Sequence, residues 1–410
     1  MKNLLKEETH TQLLDYQAVS RYHRRTGIIA RDEGDLVGAA AHYKSGADAR
    51  PPNGINSEAD DCQVLLGLCQ LSMGNFTNGW DNYEARRFSA VGGHSPLAIG
   101  GGPRWKGQPL EDAETIFITP EQGIGDQLLY LSPFAHNQEF FTTAGGQWII
   151  EVDPKIEPLI RANLPMSVTV RASTITSDLS GGPMIHDLIN LSDGPTLHTL
   201  NQRAELFQAC TYQASVVDLC RSYNASLTLP LPGSSPWSHT SYETTETATA
   251  LNSYLNNVSL KPLTVGFSWK GHRGGNPRKR ARMEDLLPLM KEFKNRGYTL
   301  YALHPMDRPE VDAIDIKVYE CVPGDVSQLH SLVSRLSHVI TTPSTTAHVA
   351  AGSDTRTTVL CSTGSSAPWY WRMDGNQPSR WYPNTEVVLG DSEYENIEWA
   401  KPAVNSLINK

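Results

Sequence analysis

The chain has 410 residues, and its 35 Lys and Arg against 44 Asp and Glu give a formal net charge of −9 at pH 7. This acidic balance disfavours a nucleic-acid partner, because such proteins need surplus cations to face phosphate. No apolar run of about 18 residues occurs and the six cysteines form no CxxC pair, so we expect no transmembrane segment and a cytoplasmic location with reduced thiols.

The first part of the chain has helical periodicity and almost no strand signal, which predicts a helical domain over residues 1–90. Small, aromatic and proline residues recur there with similar spacing at Gly27, Gly34, Ala39, Tyr43 and Pro51, and again at Gly67, Gly74, Gly79 and Tyr83. This spacing is typical of tetratricopeptide repeats, in which a small residue on one helix lets a ring from the next approach closely. An unrelated pair of helical hairpins is the alternative.

A Gly- and Pro-rich stretch at 91–103 predicts a domain boundary, and strands then alternate with helices. In the first α/β domain, 104–235, we predict strands at 114–119 and 147–152, helices at 126–134 and 154–162, a weak strand at 184–191 and a helix around 204–212. A Pro/Ser/Thr-rich linker is expected at 230–246. In the second, 260–400, we predict strands at 263–269, 298–303, 338–342 and 357–361 and helices at 283–294, 326–336 and 345–351. Two Rossmann-like domains with parallel sheets are therefore expected, with ligands at the carboxyl ends of their strands.

A glycine-containing loop at residues 120–126 (PEQGIGD) lies between the first predicted strand and the following helix. Its glycines allow a tight turn and close approach of a ligand to the main chain, and the helix start offers free N–H groups. Asp126 falls in the first helical turn, either as a capping carboxylate or as a catalytic group that faces an interdomain cleft. A dinucleotide site is disfavoured, since Leu128 stands at the third glycine position of the GxGxxG fingerprint.

A cationic loop at residues 269–282 (WKGHRGGNPRKRAR) follows the first strand of the second α/β domain. Arg and Lys neutralise phosphate oxygens and glycine permits close approach, so this loop favours a diphosphate. The alternatives are a solvated basic loop and a nucleic-acid patch, and the net acidity of the chain makes the latter the poorer choice.

A hydroxyl-rich turn at residues 341–352 (TTPSTTAHVAAG) ends one predicted strand and enters a helix. Ser344, Thr345 and Thr346 would supply N–H and O–H donors to phosphate at the helix start. His348 lies one turn into the helix, on a face that would reach the same ligand, although a single helical histidine is more often packed or exposed. No metal site is expected, because the 13 histidines include no HExxH pair.

Together these segments resemble bacterial-type tetratricopeptide-repeat glycosyltransferases whose catalytic part is related to the heptosyltransferases of glycosyltransferase family 9. The likeness covers most of the chain in the right order, apart from its poorly patterned middle. It is carried by GWDNYEAR at 79–86, PRWKGQPL at 103–110, PEQGIGDQLLYL at 120–131, GFSWKG at 266–271, RKRAR at 278–282, TTPSTTAHVAAG at 341–352 and WYP at 381–383.

The resemblance implies a GT-B fold, in which the second Rossmann-like domain binds a nucleotide-sugar and the first presents the acceptor. It implies an inverting, metal-independent transfer with the nucleotide-sugar as co-substrate and no other cofactor, and it matches Asp126 to the general base. Lys270, Arg280 and Arg282 match the region that holds the leaving diphosphate. The substrate- and nucleotide-binding residues that it implies are Glu121, Gln122, Gly123, Gly125, Trp269, Lys270, Arg280, Arg282, Ser344, Thr345, Thr346 and His348.

Two positions depart from the family pattern, since Pro343 and Lys279 stand where members usually carry aspartate. The favoured function is transfer of a sugar from a nucleotide diphosphate-sugar to a hydroxyl acceptor, a protein or glycan that the repeats would recruit. One alternative is a non-catalytic tetratricopeptide binding module with a degenerate transferase half. Another is a GT-B sugar-nucleotide epimerase, which binds the same nucleotide without an acceptor.

Overall fold

The computed structural model describes most of the chain in twelve segments. These are residues 2–52, 56–89, 103–173, 195–224, 235–238, 263–270, 280–303, 316–318, 326–364, 367–372, 379–391 and 398–409. The predicted strand at 184–191, most of the linker at 230–246 and nearly all of the boundary stretch at 91–103 lie outside them.

The N-terminal region is helical. It contains α1 (Lys2–Asp32), α2 (Leu36–Asp48), α3 (Ser57–Ser72), α4 (Phe76–Tyr83) and a 3₁₀ turn (Glu84–Arg87). A Cβ built on Gly27 would lie 2.6 Å from the ring of Tyr43, so α1 and α2 approach each other as closely as the small-residue and ring pattern predicted. The identity of these helices as tetratricopeptide repeats stays a prediction.

The first sheet has four parallel strands in the order β3-β2-β1-β4. The elements of this part are β1 (Thr115–Thr119), α5 (Ile124–His136), α6 (Glu139–Thr143), β2 (Gln147–Val152), α7 (Glu157–Asn163), β3 (Val168–Ala172), α8 (Pro195–Ala209), β4 (Tyr212–Ser215) and α9 (Val216–Asn224). The central strand β1 is buried over four of its five residues, as expected for a strand that helices cover on both faces.

The second sheet has six parallel strands in the order β10-β9-β8-β5-β6-β7. Its elements are β5 (Thr264–Ser268), α10 (Met283–Asn295), β6 (Thr299–Ala302), β7 (Lys317–Val318), α11 (Val326–Val333), β8 (His338–Thr341), α12 (Thr345–Ala351), β9 (Thr357–Cys361), α13 (Trp369–Arg372), β10 (Thr385–Leu389) and α14 (Lys401–Ile408). The α/β class with parallel sheets is therefore confirmed, while the domain limits 1–90, 104–235 and 260–400 stay predictions.

Most of the predicted strands and helices in the described residues are confirmed within a few residues of their ends. The prediction of a helix around 204–212 is wrong at its end, because α8 stops at Ala209 and Tyr212 begins β4. Strands β3, β4, β7 and β10 and helices α6, α9, α13 and α14 were not predicted. Within the expected linker, the side chain of Trp237 is fully buried and its main-chain N–H donates to the carbonyl of Gly352 at 2.8 Å, so this part of the linker is anchored.

One of the hydrophobic clusters spans the helical region and both α/β regions. Trp80 of α4 packs its ring 6.3 Å from that of Tyr130 in α5 and 5.8 Å from that of Trp369 in α13. Strands β1 and β8 each lead at their carboxyl ends into a helix, α5 and α12, and these two helices pack on each other. The carboxyl edges of the two sheets therefore meet at the starts of α5 and α12.

Candidate active site

The loop after β1 presents Asp126 in the first turn of α5, with its carboxylate held from two sides. The N–H of Gly123 donates to Oδ2 of Asp126 at 3.2 Å, so the capping role that the sequence left open is present. The hydroxyl of Tyr370, in α13, donates to Oδ1 of the same carboxylate at 3.0 Å. Asp126 itself is half-buried. The carboxylate of the first α/β region thus lies at the junction with the second.

Gly125 is the point at which α5 and α12 touch. A Cβ on this residue would lie 2.8 Å from Cδ2 of His348 and 3.7 Å from Cα of Thr345. Real Cβ atoms do not come within 3.0 Å of a neighbour, so a glycine is needed for the helices to approach this closely. The loop at 120–126 and the turn at 341–352, predicted as separate sites, are therefore neighbours in space.

His348 lies among aromatic side chains. It is 2% exposed, and its Nδ1 is 3.1 Å from the hydroxyl of Tyr382. Its ring centroid is 5.1 Å from that of Trp371 and 5.3 Å from that of Tyr370. Of the two roles that the sequence allowed, these contacts favour the packed histidine that joins α12 to its neighbours.

The cationic loop and the hydroxyl turn begin at the same edge of the second sheet. Strands β5 and β8 are neighbours, and the N–H of Thr342 donates to the carbonyl of Ser268 at 3.0 Å just where both strands end. Lys270 and Ser344 each lie two or three residues beyond these ends, and both are half-buried. Thr345 is half-buried and Thr346 is buried. Residues 271–279 of the cationic loop lie outside the described part of the chain.

Two side chains that the resemblance assigned to nucleotide binding, those of Trp269 and Arg282, make internal contacts, and Arg280 makes one through its main chain. Trp269 is fully buried in the core of the second sheet. The guanidinium of Arg282 donates to Asp285 at 2.7 Å and to Glu398 at 2.8 Å, and these hydrogen bonds, led by that to Asp285, raise its pKa further above its usual range. The carbonyl of Arg280 accepts from the indole N–H of Trp399 at 3.1 Å.

Glu121 is also internal, because a buried arginine of the helical region takes both of its oxygens. Nε of Arg86 donates to Oε1 at 2.7 Å and Nη2 to Oε2 at 3.2 Å, and the hydroxyl of Ser215 donates to the same carboxylate. Arg86 also donates to Asp218 at 2.8 Å. Burial acts to raise the pKa of Asp218, but the positive charges of Arg86, Arg87 and Arg104 outweigh it and hold that pKa well below its usual range.

Gln122, the next residue, has a left-handed backbone conformation with φ of 64°. Such a conformation is uncommon in residues other than glycine and is found where surrounding contacts enforce it, often near functional sites. Its side-chain amide donates to the hydroxyl of Tyr83, which is buried at the end of α4. Sequence reasoning missed Tyr83 and Arg86 as contacts of the loop. The signal for them was their place in GWDNYEAR at 79–86, which carried part of the resemblance without a chemical role.

The described residues form neither a metal centre nor a membrane span. They contain no group of three or more His, Cys, Asp or Glu that could hold a metal ion. No described helix is both long and apolar enough to cross a bilayer.

Solved structures with a similar arrangement include transferases, while no protein-family model and no curated protein matches the sequence. The glycosyl transferase of family 9 from Veillonella parvula DSM 2008 is 14% identical with a TM-score of 0.47, over 74% of this chain and 99% of that one. The ADP-heptose lps heptosyltransferase II of E. coli is 14% identical with a TM-score of 0.43, over 72% and 98%. Heptosyltransferase WaaC of E. coli, solved with ADP-2-deoxy-2-fluoro heptose, is 12% identical with a TM-score of 0.44, over 72% and 99%. With identities below 25% and TM-scores below 0.5, the assignment of function depends on the geometry of the chain itself.

Proposed function

We propose that this chain is a glycosyltransferase of GT-B architecture, which moves a sugar from a nucleotide diphosphate-sugar to a hydroxyl of a protein or glycan acceptor. The observation that carries the proposal is the meeting of two parallel sheets at their carboxyl edges, with Asp126 of one region held by Tyr370 of the other. Parallel α/β sheets bind their ligands at these edges, so a carboxylate there is placed to act on them.

Asp126 is the proposed general base. Each of its oxygens accepts one hydrogen bond, from Gly123 or from Tyr370, and an ionised carboxylate has about four acceptor positions. The carboxylate can therefore accept the proton of an acceptor hydroxyl while that oxygen bonds to the anomeric carbon and the nucleoside diphosphate leaves. Attack from the face opposite the leaving group inverts the anomeric centre.

The donor diphosphate is proposed to bind at the edge of the second sheet, beyond β5 and β8. Lys270 would neutralise the negative charge that grows on the leaving group, and Ser344 and Thr345 would donate hydrogen bonds to its oxygens without a metal. For the acceptor, we propose recruitment by the helical region. A groove of about 480 Å³ between α2, α3 and α4, lined by polar side chains such as Arg50, Gln63 and Asn82, supports this role.

The test compares sugar transfer and donor hydrolysis by wild type and Asp126→Asn, with a panel of UDP-, GDP- and ADP-sugars. General-base catalysis contributes about 10²- to 10⁴-fold, so a loss of that size is expected for Asp126→Asn. Glu139→Gln is the matched control, since Glu139 is an exposed acidic residue in the first turn of the next helix, α6. Equal rates for Asp126→Asn and wild type would remove Asp126 from the mechanism.

Two outcomes would favour the alternative functions. Absence of binding heat with every donor in a calorimetric titration would favour a non-catalytic module with a degenerate transferase half. Conversion of the donor sugar to its epimer without any acceptor would favour an epimerase.

A further inference from the structure

We propose that Tyr83 and Arg86 of the helical region are positioning residues for the loop that carries Asp126. The helical region would then be part of the catalytic site as well as a surface for recruiting the acceptor. The expected effect on catalysis rests on the proposed function, whereas the expected effect on the conformation of the loop does not.

Arg86 fixes the start of the loop. It is 1% exposed and holds Glu121, two residues beyond the end of β1, through two nitrogens at once. A two-point contact between guanidinium and carboxylate fixes orientation as well as distance. The further bonds of Arg86 to Asp218 and, at 2.9 Å, to Glu84 keep the guanidinium itself in place.

Tyr83 holds the next residue in its unusual conformation. The left-handed backbone of Gln122 costs of order 1 kcal/mol or more and persists where surrounding contacts offset that cost. The hydrogen bond from the side-chain amide of Gln122 to the Tyr83 hydroxyl is such a contact. The guanidinium of Arg86 lies 5.3 Å from the centroid of the Tyr83 ring, so the two side chains support each other. Tyr83 and Arg86 thus form hydrogen bonds with two consecutive residues of the loop, Gln122 and Glu121.

Gly123 passes this constraint on to Asp126. It follows Gln122 directly, and its N–H donates to the Asp126 carboxylate. The donor site, by contrast, is proposed beyond β5 and β8, whereas the hydrogen bonds of Tyr83 and Arg86 go to Gln122, Glu121, Asp218 and Glu84, in the first α/β region and the helical region. Loosening the loop should therefore lower kcat and leave KM for the donor nearly unchanged.

Tyr83→Phe is the variant that tests this inference. It removes the hydroxyl and keeps the ring under Arg86, whereas substitution of Arg86 would leave the buried carboxylate of Glu121 without its cation and endanger the fold. We expect kcat to fall about tenfold, KM for the donor to stay within about twofold, and the amides of residues 120–126 to exchange hydrogen faster. Tyr43→Phe is the matched control and should match wild type, because the buried Tyr43 hydroxyl has no hydrogen-bond partner among the described residues.

A double-variant comparison tests whether Tyr83 acts through Gln122. In a Gln122→Gly background the left-handed backbone no longer needs support, so adding Tyr83→Phe should change neither kcat nor exchange further. Unchanged kcat together with unchanged exchange in Tyr83→Phe would overturn the inference, as would full additivity of the two substitutions. If wild type turns over none of the donors, the proposed function fails. Faster hydrogen exchange at 120–126 in Tyr83→Phe would still establish that Tyr83 restrains the loop.

Discussion

The hydroxyl of Tyr370 donates a hydrogen bond of 3.0 Å to Oδ1 of Asp126, and it joins α13 of the second α/β region to α5 of the first. Burial, followed by the nearby Asp126 charge, raises the pKa of Tyr370 well above its ordinary value. Tyr370 therefore keeps its proton at neutral pH and acts as a donor to the carboxylate. The orientation of the proposed base thus depends on a residue of the opposite region.

Removal of that donor in Tyr370→Phe should lower kcat for sugar transfer. Hydrogen bonds to charged groups contribute about 1.5–3 kcal/mol, so we expect a loss of roughly 10- to 100-fold if most of the bond is used to orient the base. Steady-state kinetics with the preferred donor measures this, with Tyr301→Phe as a buried tyrosine control on β6, which β5 separates from β8 in the second sheet. Equal losses in the two variants would mean that the effect is not specific to Asp126.

Gly125→Ala should separate α5 from α12. The new Cβ would meet Cδ2 of His348 at 2.8 Å, and relief of such overpacking costs about 1–3 kcal/mol. Urea denaturation of wild type and Gly125→Ala measures this change in the free energy of unfolding. In a His348→Ala background the clash is gone and only the ordinary contact with Thr345 persists, so the same substitution should then cost far less. Equal costs in both backgrounds would show that His348 does not limit the approach of the helices.

Arg86→Ala should destabilise the protein strongly. It would leave the buried carboxylate of Glu121 without the cation that it pairs with, and Asp218 would keep only Arg87 and Arg104; removal of one partner of a buried ion pair costs about 3–5 kcal/mol. Arg296→Ala is the matched control, because Arg296 is half exposed and pairs with Glu292 four residues earlier in α10, an arrangement that contributes about 0.5 kcal/mol. Chemical denaturation should show this contrast, and a loss below about 1 kcal/mol for Arg86→Ala would mean that the network contributes little.

The sequence predicts the central strands well and the peripheral ones poorly. Strands β1, β8 and β9 are buried and appear as nearly continuous apolar or β-branched runs between turn residues. Strand β4, Tyr212–Ser215, is short and polar, and it forms because it pairs with β1 about a hundred residues earlier in the chain. Such pairing depends on contacts between distant residues and leaves no local pattern to detect.

The candidate site follows the same division. The rule that parallel strands bring their carboxyl ends to one edge placed the loops of Lys270 and Ser344 at one edge, and the strands that lead into them, β5 and β8, are neighbours in the structure. The bond from Tyr370 to Asp126 joins residues 244 positions apart, and that from Arg86 to Asp218 spans 132 positions. No spacing in the sequence indicates such pairs. For the same reason the sequence did not show that Glu121 pairs with Arg86 and that Trp269 packs in the core of the second sheet, although both residue types suit a ligand site.

Two buried histidines of the second α/β region should make the protein less stable as the pH falls below 6.5. Burial lowers the pKa of His330 to about 4, although the carbonyl of Trp237 opposes this shift, and burial followed by the charge of Arg356 lowers that of His338 to about 3. In the unfolded chain a histidine has a pKa of about 6.5. Between these values the unfolded state binds protons that the folded state does not, so the free energy of unfolding decreases with falling pH.

The expected size approaches about 1.4 kcal/mol per pH unit for each histidine as the pH falls, or roughly 1.6 kcal/mol for each between pH 6.5 and 5. That interval lies above the pKa of most carboxyl groups in an unfolded chain, about 4, so the histidines dominate it. His338→Gln can keep a hydrogen bond to Thr358 while removing one titrating group, and it should therefore reduce the pH slope of stability by the share of one histidine. Urea denaturation at half-unit pH steps measures the slope. If His338→Gln shifts stability equally at every pH and leaves the slope intact, His338 has nearly the same pKa in the folded and unfolded protein. Burial would then not hold it in its neutral form.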